Sequence, residues 1–233
     1  MNYNSNVLES SASLVQFFDL LITQFQPEII CDIGALNGIE SLRFRKLAPH
    51  STLYAFEANP LNYLKFSDWL ASHNSSINYE YLAITDICKP IEFNILKTAE
   101  EGYDWRGGAS SILNRINLED SLKTFVPCST LDKFMNDRHL LGKPNCLWID
   151  VEGAAYQMLQ GAIETLKETQ FLKVEVEKAR IWENQKLDLD VIQLLESYDF
   201  QAVCTTLHPT SPQYDLLFIK QSLAQYISDI IPT

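Results

Sequence analysis

Positive charge is scarce in this 233-residue chain, and none of it precedes Arg43. Eighteen Lys and Arg stand against thirty Asp and Glu, a formal net charge of −12 with a pI near 4.7. Such a balance works against binding to nucleic acid or to an anionic membrane surface, both of which recruit clustered Lys and Arg. The densest basic group, Arg43, Arg45 and Lys46, reads as a solvated helix face. A start without basic residues lacks the n-region of a secretory signal, and no apolar run approaches the roughly 20 residues of a membrane span. The expectation is a cytoplasmic protein with neither nucleic acid nor membrane as partner.

Other absences narrow the chemistry. Cys31, Cys88, Cys128, Cys146 and Cys204 are odd in number and never in C-x-x-C spacing, which argues against a disulfide framework or a zinc site. His50, His73, His139 and His208 form no H-E-x-x-H, and His139 and His208 read as surface residues. Neither G-x-x-x-x-G-K nor G-x-S-x-G occurs, which leaves a P-loop enzyme or an elbow-type serine hydrolase without support. No repeat, low-complexity tract or linker is found, so residues 1–233 read as one domain.

What is present is alternation. With 46% hydrophobic and 11% aromatic residues, the chain can bury a sizeable core. Leu14, Phe17, Phe18, Leu21, Ile22 and Phe25 recur at helical spacing and predict an amphipathic helix over about 8–25. A strand at 28–33, a helix through "GIESLRFRKLA", a strand "STLYAFEA", a helix opened by Pro60 and a strand "INYEYLAI" follow. This βαβαβ order predicts an α/β fold with a parallel sheet and helices on both faces. "PIEFNIL" reads as an added strand, and the polar stretch over about 98–120, with Tyr103, Trp105 and Arg106, as a lid or substrate loop. Alternation then resumes with the strand "NCLWIDVEG", one helix over "AAYQMLQGAIETLKE", the strand "FLKVEVE", a helix around "LDVIQLLESY", and strands "FQAVCTT" and "YDLLFIK".

The loop after the first of these strands carries the functional signal. "CDIGALNG" puts Asp32, Gly34, Ala35, Asn37 and Gly38 where open α/β sheets bind ligands, beyond the carboxyl ends of their strands. A dinucleotide fingerprint requires a second glycine where Leu36 stands, and Asp32 would repel a pyrophosphate. A nicotinamide-dependent oxidoreductase is thereby disfavoured. A carboxylate here suits a cationic ligand end. At the end of the next strand Glu57, followed by Ala58, occupies the position from which an acidic residue accepts hydrogen bonds from ribose hydroxyls. An adenosine joined to an amino acid without phosphate satisfies both carboxylates, and S-adenosylmethionine is that molecule. Ala83 and Ile84, ending "INYEYLAI", are candidates for an adenine shelf or simply for core packing.

Through "CDIGALNG", "YAFEANP", "LAITD", "GGASSI", "VPCSTLDKF", "IDVEGAAYQMLQGA" and "FLKVEVE", spanning about 28–177, the chain resembles the FkbM-type methyltransferases. That resemblance implies a class I methyltransferase fold: Rossmann-like, seven strands, mostly parallel, the last antiparallel. It also implies O-methylation of a hydroxyl on a sugar, glycan or secondary metabolite. The family pattern has proline where Ala58 stands, Lys where Trp148 stands and Glu where Ala155 stands. A lost ion pair between the last two positions is one reading. A scaffold that binds the cofactor without turnover is the alternative function.

An alcohol acceptor must shed a proton during attack. Asp150 and Glu152, two apart in "IDVEG", are the candidate catalytic residues, and an extended strand would point them the same way. Asp150 is equally a candidate cofactor ligand, and both are candidate oxygen ligands for a divalent cation. Glu152 could instead stabilise the dipole of the following helix. Glu175 and Glu177 are weaker candidates.

Overall fold

The computed structural model describes residues 8–9, 11–74, 76–96, 108–117, 121–206 and 210–226. The first half builds as its alternation dictates. β1 (Leu8–Glu9) leads into α1 (Ser11–Phe25), then β2 (Ile29–Ile33), α2 (Ile39–Leu47), β3 (Thr52–Glu57), α3 (Pro60–His73) and β4 (Ile77–Tyr81). Apolar runs with every residue buried make β2 a central strand. The Asn59 side chain accepts the Leu61 N–H and Pro60 opens the first turn, which sets the start of α3.

β5 (Ala83–Ile84), β6 (Ile91–Leu96), β7 (Ser121–Val126), β8 (Cys128–Ser129) and α4 (Leu131–Asp137) come next. They are followed by β9 (Asn145–Ile149), α5 (Ala155–Gln160), α6 (Thr165–Glu168), β10 (Thr169–Glu177), α7 (Asp188–Glu196), β11 (Phe200–Thr205) and β12 (Gln213–Lys220). The main sheet has the order β1-β11-β12-β10-β9-β2-β3-β4. Seven strands form its body. β12 runs antiparallel to β10 and β11, and the β10-β9-β2-β3-β4 pairings are parallel. Side-chain alternation splits the core in two. Ile29, Cys31, Ile33, Leu147 and Ile149 pack under α4 to α7, while Ile30, Cys146 and Trp148 pack under α1 and α2. The seven-stranded, mostly parallel sheet with an antiparallel last strand is therefore present.

Four details differ from the sequence reading. The first helix starts at Ser11 rather than near 8, because Leu8 and Glu9 extend the sheet edge beside β11. "INYEYLAI" is not one strand: it leaves the sheet at Leu82, and β5 pairs with β8 instead. "PIEFNIL" is a strand outside the main sheet, in an antiparallel pair with β7, a strand the sequence reading missed. The single helix expected over 154–168 is broken. Asp132 accepts the N–H groups of Glu164 and Thr165 and the Thr165 hydroxyl, at 2.9, 2.8 and 2.7 Å, which starts α6 afresh. Of the expected lid, 108–117 are described; 98–107, with Tyr103, Trp105 and Arg106, and 118–120 lie outside the described residues. Among the described residues no helix is long and apolar enough to cross a membrane.

Candidate active site

The chain reverses direction of growth between β2 and β9: β3 and β4 lie to one side of β2, β9 and β10 to the other. Ligands of open α/β sheets bind at such a switch point. Two cavities open there. A larger one, about 840 Å³, is lined by Asp32, Ala35, Asn37, Glu40, Arg115, Trp148, Glu152 and Gln213 among others. A smaller one, about 60 Å³, is lined by Glu57, Ala58, Ala83, Ile84, Phe93 and Ser110 among others. Gly34, Leu36, Gly108 and Asp150 line both, so they mark the junction.

The loop between β2 and α2 is held by the ends of neighbouring strands. The Gly34 and Ala35 N–H groups donate to the Phe56 carbonyl at 3.0 and 2.9 Å. Leu36 N–H donates to Glu57 Oε2 at 2.8 Å, and the Tyr79 hydroxyl donates to the Leu36 carbonyl. Gly34 has φ +87, and a Cβ there would stand 1.7 Å from the Asp150 carbonyl oxygen, so only glycine permits this approach of loop to loop. Gly38 lines neither cavity; it turns the chain into α2, with its N–H on the Ala35 carbonyl at 2.7 Å.

Both predicted cofactor carboxylates are buried. Asp32 is 1% exposed and accepts the Ser41 hydroxyl at 2.6 Å. Burial pushes it up to about 7, against the pull of Ser41. Glu57 is 6% exposed. Its Oε1 accepts Asn59 N–H at 2.7 Å and Asn62 Nδ2 at 3.4 Å. Burial raises it too, to about 7, despite the N–H donors of Asn59 and Leu36. Of these two, Asp32 lines the larger cavity and Glu57 the smaller. Ala83 and Ile84 line the smaller cavity and also pack into core clusters.

Asp150 and Glu152 converge, though not by strand extension. β9 ends at Ile149, and Glu152 takes φ +48, a left-handed conformation costly for a branched-free but non-glycine residue. That turn brings carboxylate oxygens of Asp150, Glu152 and Glu175 within 4.8 Å of one another. Gln213 Nε2 lies 3.5, 3.1 and 3.4 Å from oxygens of Glu152, Glu175 and Glu177. Glu152 and Glu175 are both raised, by burial first and by the Asp150 carboxylate second. Glu152 thus faces a cavity, while α5 begins only at Ala155. This cluster is the one candidate among the described residues for the divalent cation considered from sequence. Carboxyls this close also share protons without a metal, and we assign none.

Residues that the sequence reading missed complete the site. Lys173, 2% exposed, sets its Nζ 3.0 Å from Asp150 Oδ2 and 2.7 Å from Asp215 Oδ1. Burial alone would lower it, and the Asp150 and Asp215 carboxylates overcome that and hold it above its ordinary value. In register, Asp32, Trp148 and Lys173 are neighbours on three adjacent strands. Trp148 and Ala155 belong to core clusters on opposite faces of the sheet, so side chains at these positions do not pair. Ser111 Oγ donates to the Glu152 carbonyl at 2.7 Å, which ties the 108–117 segment to the turn that follows β9. Lys173 shares one face of "FLKVEVE" with Glu175 and Glu177, a spacing that also suits a solvent-facing row, and Arg115 and Gln213 gave no signal. His139 is exposed, and His208 lies outside the described residues.

Known proteins share the family and the fold. Residues 32–202 match the methyltransferase FkbM domain. The chain is 25% identical over 179 residues to the 2-O-methyltransferase NoeI of Sinorhizobium fredii (strain NBRC 101917 / NGR234), covering 75% of this chain and 73% of that protein. It is similar to the crystal structure of methyltransferase FkbM from Methylobacillus flagellatus KT, with a TM-score of 0.53 and 15% identity over 83% of this chain. It spans 44% of the length of that solved chain. On the strength of the domain match over most of its length, the chain belongs to the FkbM methyltransferase family.

Proposed function

We propose that the protein transfers a methyl group from S-adenosylmethionine to a hydroxyl oxygen of a small-molecule or glycan acceptor. One observation carries this reading: two buried carboxylates, Asp32 and Glu57, stand at the ends of adjacent parallel strands, each lining one of two contiguous cavities. A cationic, phosphate-free nucleoside fits that pair; a pyrophosphate does not. Asp32, with Ala35 and Asn37, would hold the amino-acid end of the cofactor, and Glu57, with Ala58, Ala83 and Ile84, the nucleoside. Asp150 at the junction would face the sulfonium. When bound, the cofactor supplies an electrophilic methyl group.

The chain's own task is alignment and proton removal. Holding an acceptor oxygen about 3 Å from the reacting carbon along the attack axis supplies much of the acceleration. The larger cavity, walled by Trp148, Arg115, Asn117 and Gln213, has room for an acceptor beside the amino-acid end. Asp150 or Glu152 would take the proton that the hydroxyl loses; Glu152, raised by burial, is matched to that step at neutral pH. The name of the 2-O-methyltransferase relative supports oxygen as the acceptor atom. The 108–117 segment, tied to Glu152, supports a substrate-loop role for this stretch.

The test is a screen of acceptors with labelled cofactor, run with and without a chelator, beside calorimetry of cofactor binding. Labelled product supports the reading. Cofactor binding without turnover on any acceptor favours the scaffold, and no binding at saturating concentration overturns both. In this assay Asp150→Asn should lower turnover far more than it lowers the unfolding midpoint; wild-type turnover in that variant removes Asp150 from the chemistry.

A further inference from the structure

We propose that Lys173 is a positioning residue for methyl transfer: its ammonium clamps one carboxylate oxygen of Asp150, so that the carboxylate is presented to the junction of the two cavities in one orientation. The inference rests on the reading of the site given above.

A lysine in the interior of a central strand requires a partner, because a buried unpaired charge is strongly unfavourable. Lys173 has two, Asp150 at 3.0 Å and Asp215 at 2.7 Å. Asp215 lies on the adjacent antiparallel strand β12, so this pair alone would serve to tie β10 to β12. The second partner is not needed for that. Asp150 lies beyond the end of β9, and its backbone is already fixed, by its N–H on the Ile33 carbonyl at 2.8 Å and by the close approach of Gly34. Rotation of its side chain is the freedom left. Oδ2 is taken by Lys173, which removes that freedom.

Lys173 itself lines neither cavity, and neither does Asp215; Asp150 lines both. Any effect of the lysine on ligand or turnover therefore runs through Asp150. Trp148 stands beside it, with the ammonium 4.9 Å from the ring centre, so the lysine is seated from the side as well as from its two carboxylates. Misplacing a reacting or orienting group by about 1 Å can cost on the order of a hundredfold in rate.

A double-mutant cycle on the full chain tests this: wild type, Asp150→Asn, Lys173→Met and the double variant. Three quantities are read: turnover at saturating cofactor with the acceptor found in the screen, the calorimetric affinity ratio for S-adenosylmethionine over its demethylated product, and the unfolding midpoint. Each single change should lower turnover by roughly 10- to 100-fold, and both should lower the affinity ratio. Residues acting as one unit are non-additive, so the double variant should differ from Asp150→Asn by less than about threefold. Multiplicative losses, or wild-type turnover in a folded Lys173→Met, overturn the proposal. If Lys173→Met fails to fold, the cycle is run in an Asp215→Asn background, which removes the other anion facing the lysine; the same criteria apply. A wild-type protein that does not bind the cofactor overturns the functional reading and this inference with it. Binding by wild type with multiplicative losses overturns the positioning role alone.

Discussion

At the scale of single residues, Glu57 does two jobs. Its oxygens hold the N–H groups of Leu36 and Asn59, and it lines the smaller cavity. Glu57→Ala should therefore weaken cofactor binding by about 1–3 kcal/mol, the scale of lost hydrogen bonds to a charged group, and also loosen the loop. Calorimetry together with the unfolding midpoint separates the two effects, and unchanged affinity removes the ligand role. Asp32 makes a second prediction. Held near 7 by burial, it is largely protonated below that pH and ionised above it, so affinity for a cationic ligand should rise between pH 5.5 and 8. A flat titration by calorimetry would contradict this. Both carboxylates were legible in the sequence, since an acidic residue ending a buried apolar strand breaks the pattern. Lys173 broke no pattern, since in "FLKVEVE" it alternates with Glu175 and Glu177. Alternation there allowed a solvent-facing row, and the covering helices α1 and α2 make that face an interior. Gln213 enters from the start of β12, about 60 positions from the turn it serves, and nothing local in sequence marks such a meeting.

At the scale of elements, α1 is more than a cover. Phe18 packs against Phe44, Trp148 and Phe171, with ring centres 5.5, 5.0 and 5.2 Å apart, and is fully buried. Phe18→Ala should cost about 3–5 kcal/mol of stability, read from urea unfolding. Because Trp148 is both a neighbour of Phe18 and a wall of the larger cavity, the change should also weaken acceptor binding; a purely additive stability loss with normal KM would separate the helix from the site. Periodicity revealed α1 and the βαβαβ half well, since each is a long element with a single buried face. It failed for β7 and the α5–α6 break. β7 alternates weakly and, among the described residues, pairs with β6 alone. The helix break depends on Asp132, a residue on another element. Tertiary capping of this kind leaves no trace in local spacing.

At the scale of the molecule, the acidic residues behind the formal net charge of −12 reach into the interior as well as the surface. Asp32, Glu57, Glu152, Glu175 and Glu177 are all raised by burial. A carboxyl whose folded value lies above its unfolded value contributes stability that is complete below the unfolded value and lost as pH rises through the folded one. The ligand-free protein should therefore melt at falling temperature between about pH 4 and 7, and the gain in melting temperature from added S-adenosylmethionine should be larger at pH 8 than at pH 5.5. Scanning calorimetry at both pH values checks this; a ligand-free melting temperature that climbs over that range contradicts it. The order of the sheet has a separate outcome for biosynthesis. β12, the last of the described strands, enters between β10 and β11 and faces Lys173 with Asp215. A nascent chain that has not yet released residues 213–220 carries two open strand edges and a lysine lacking its nearer counter-ion. A premature stop just ahead of Gln213 would thus split the sheet through its interior, rather than trim its margin.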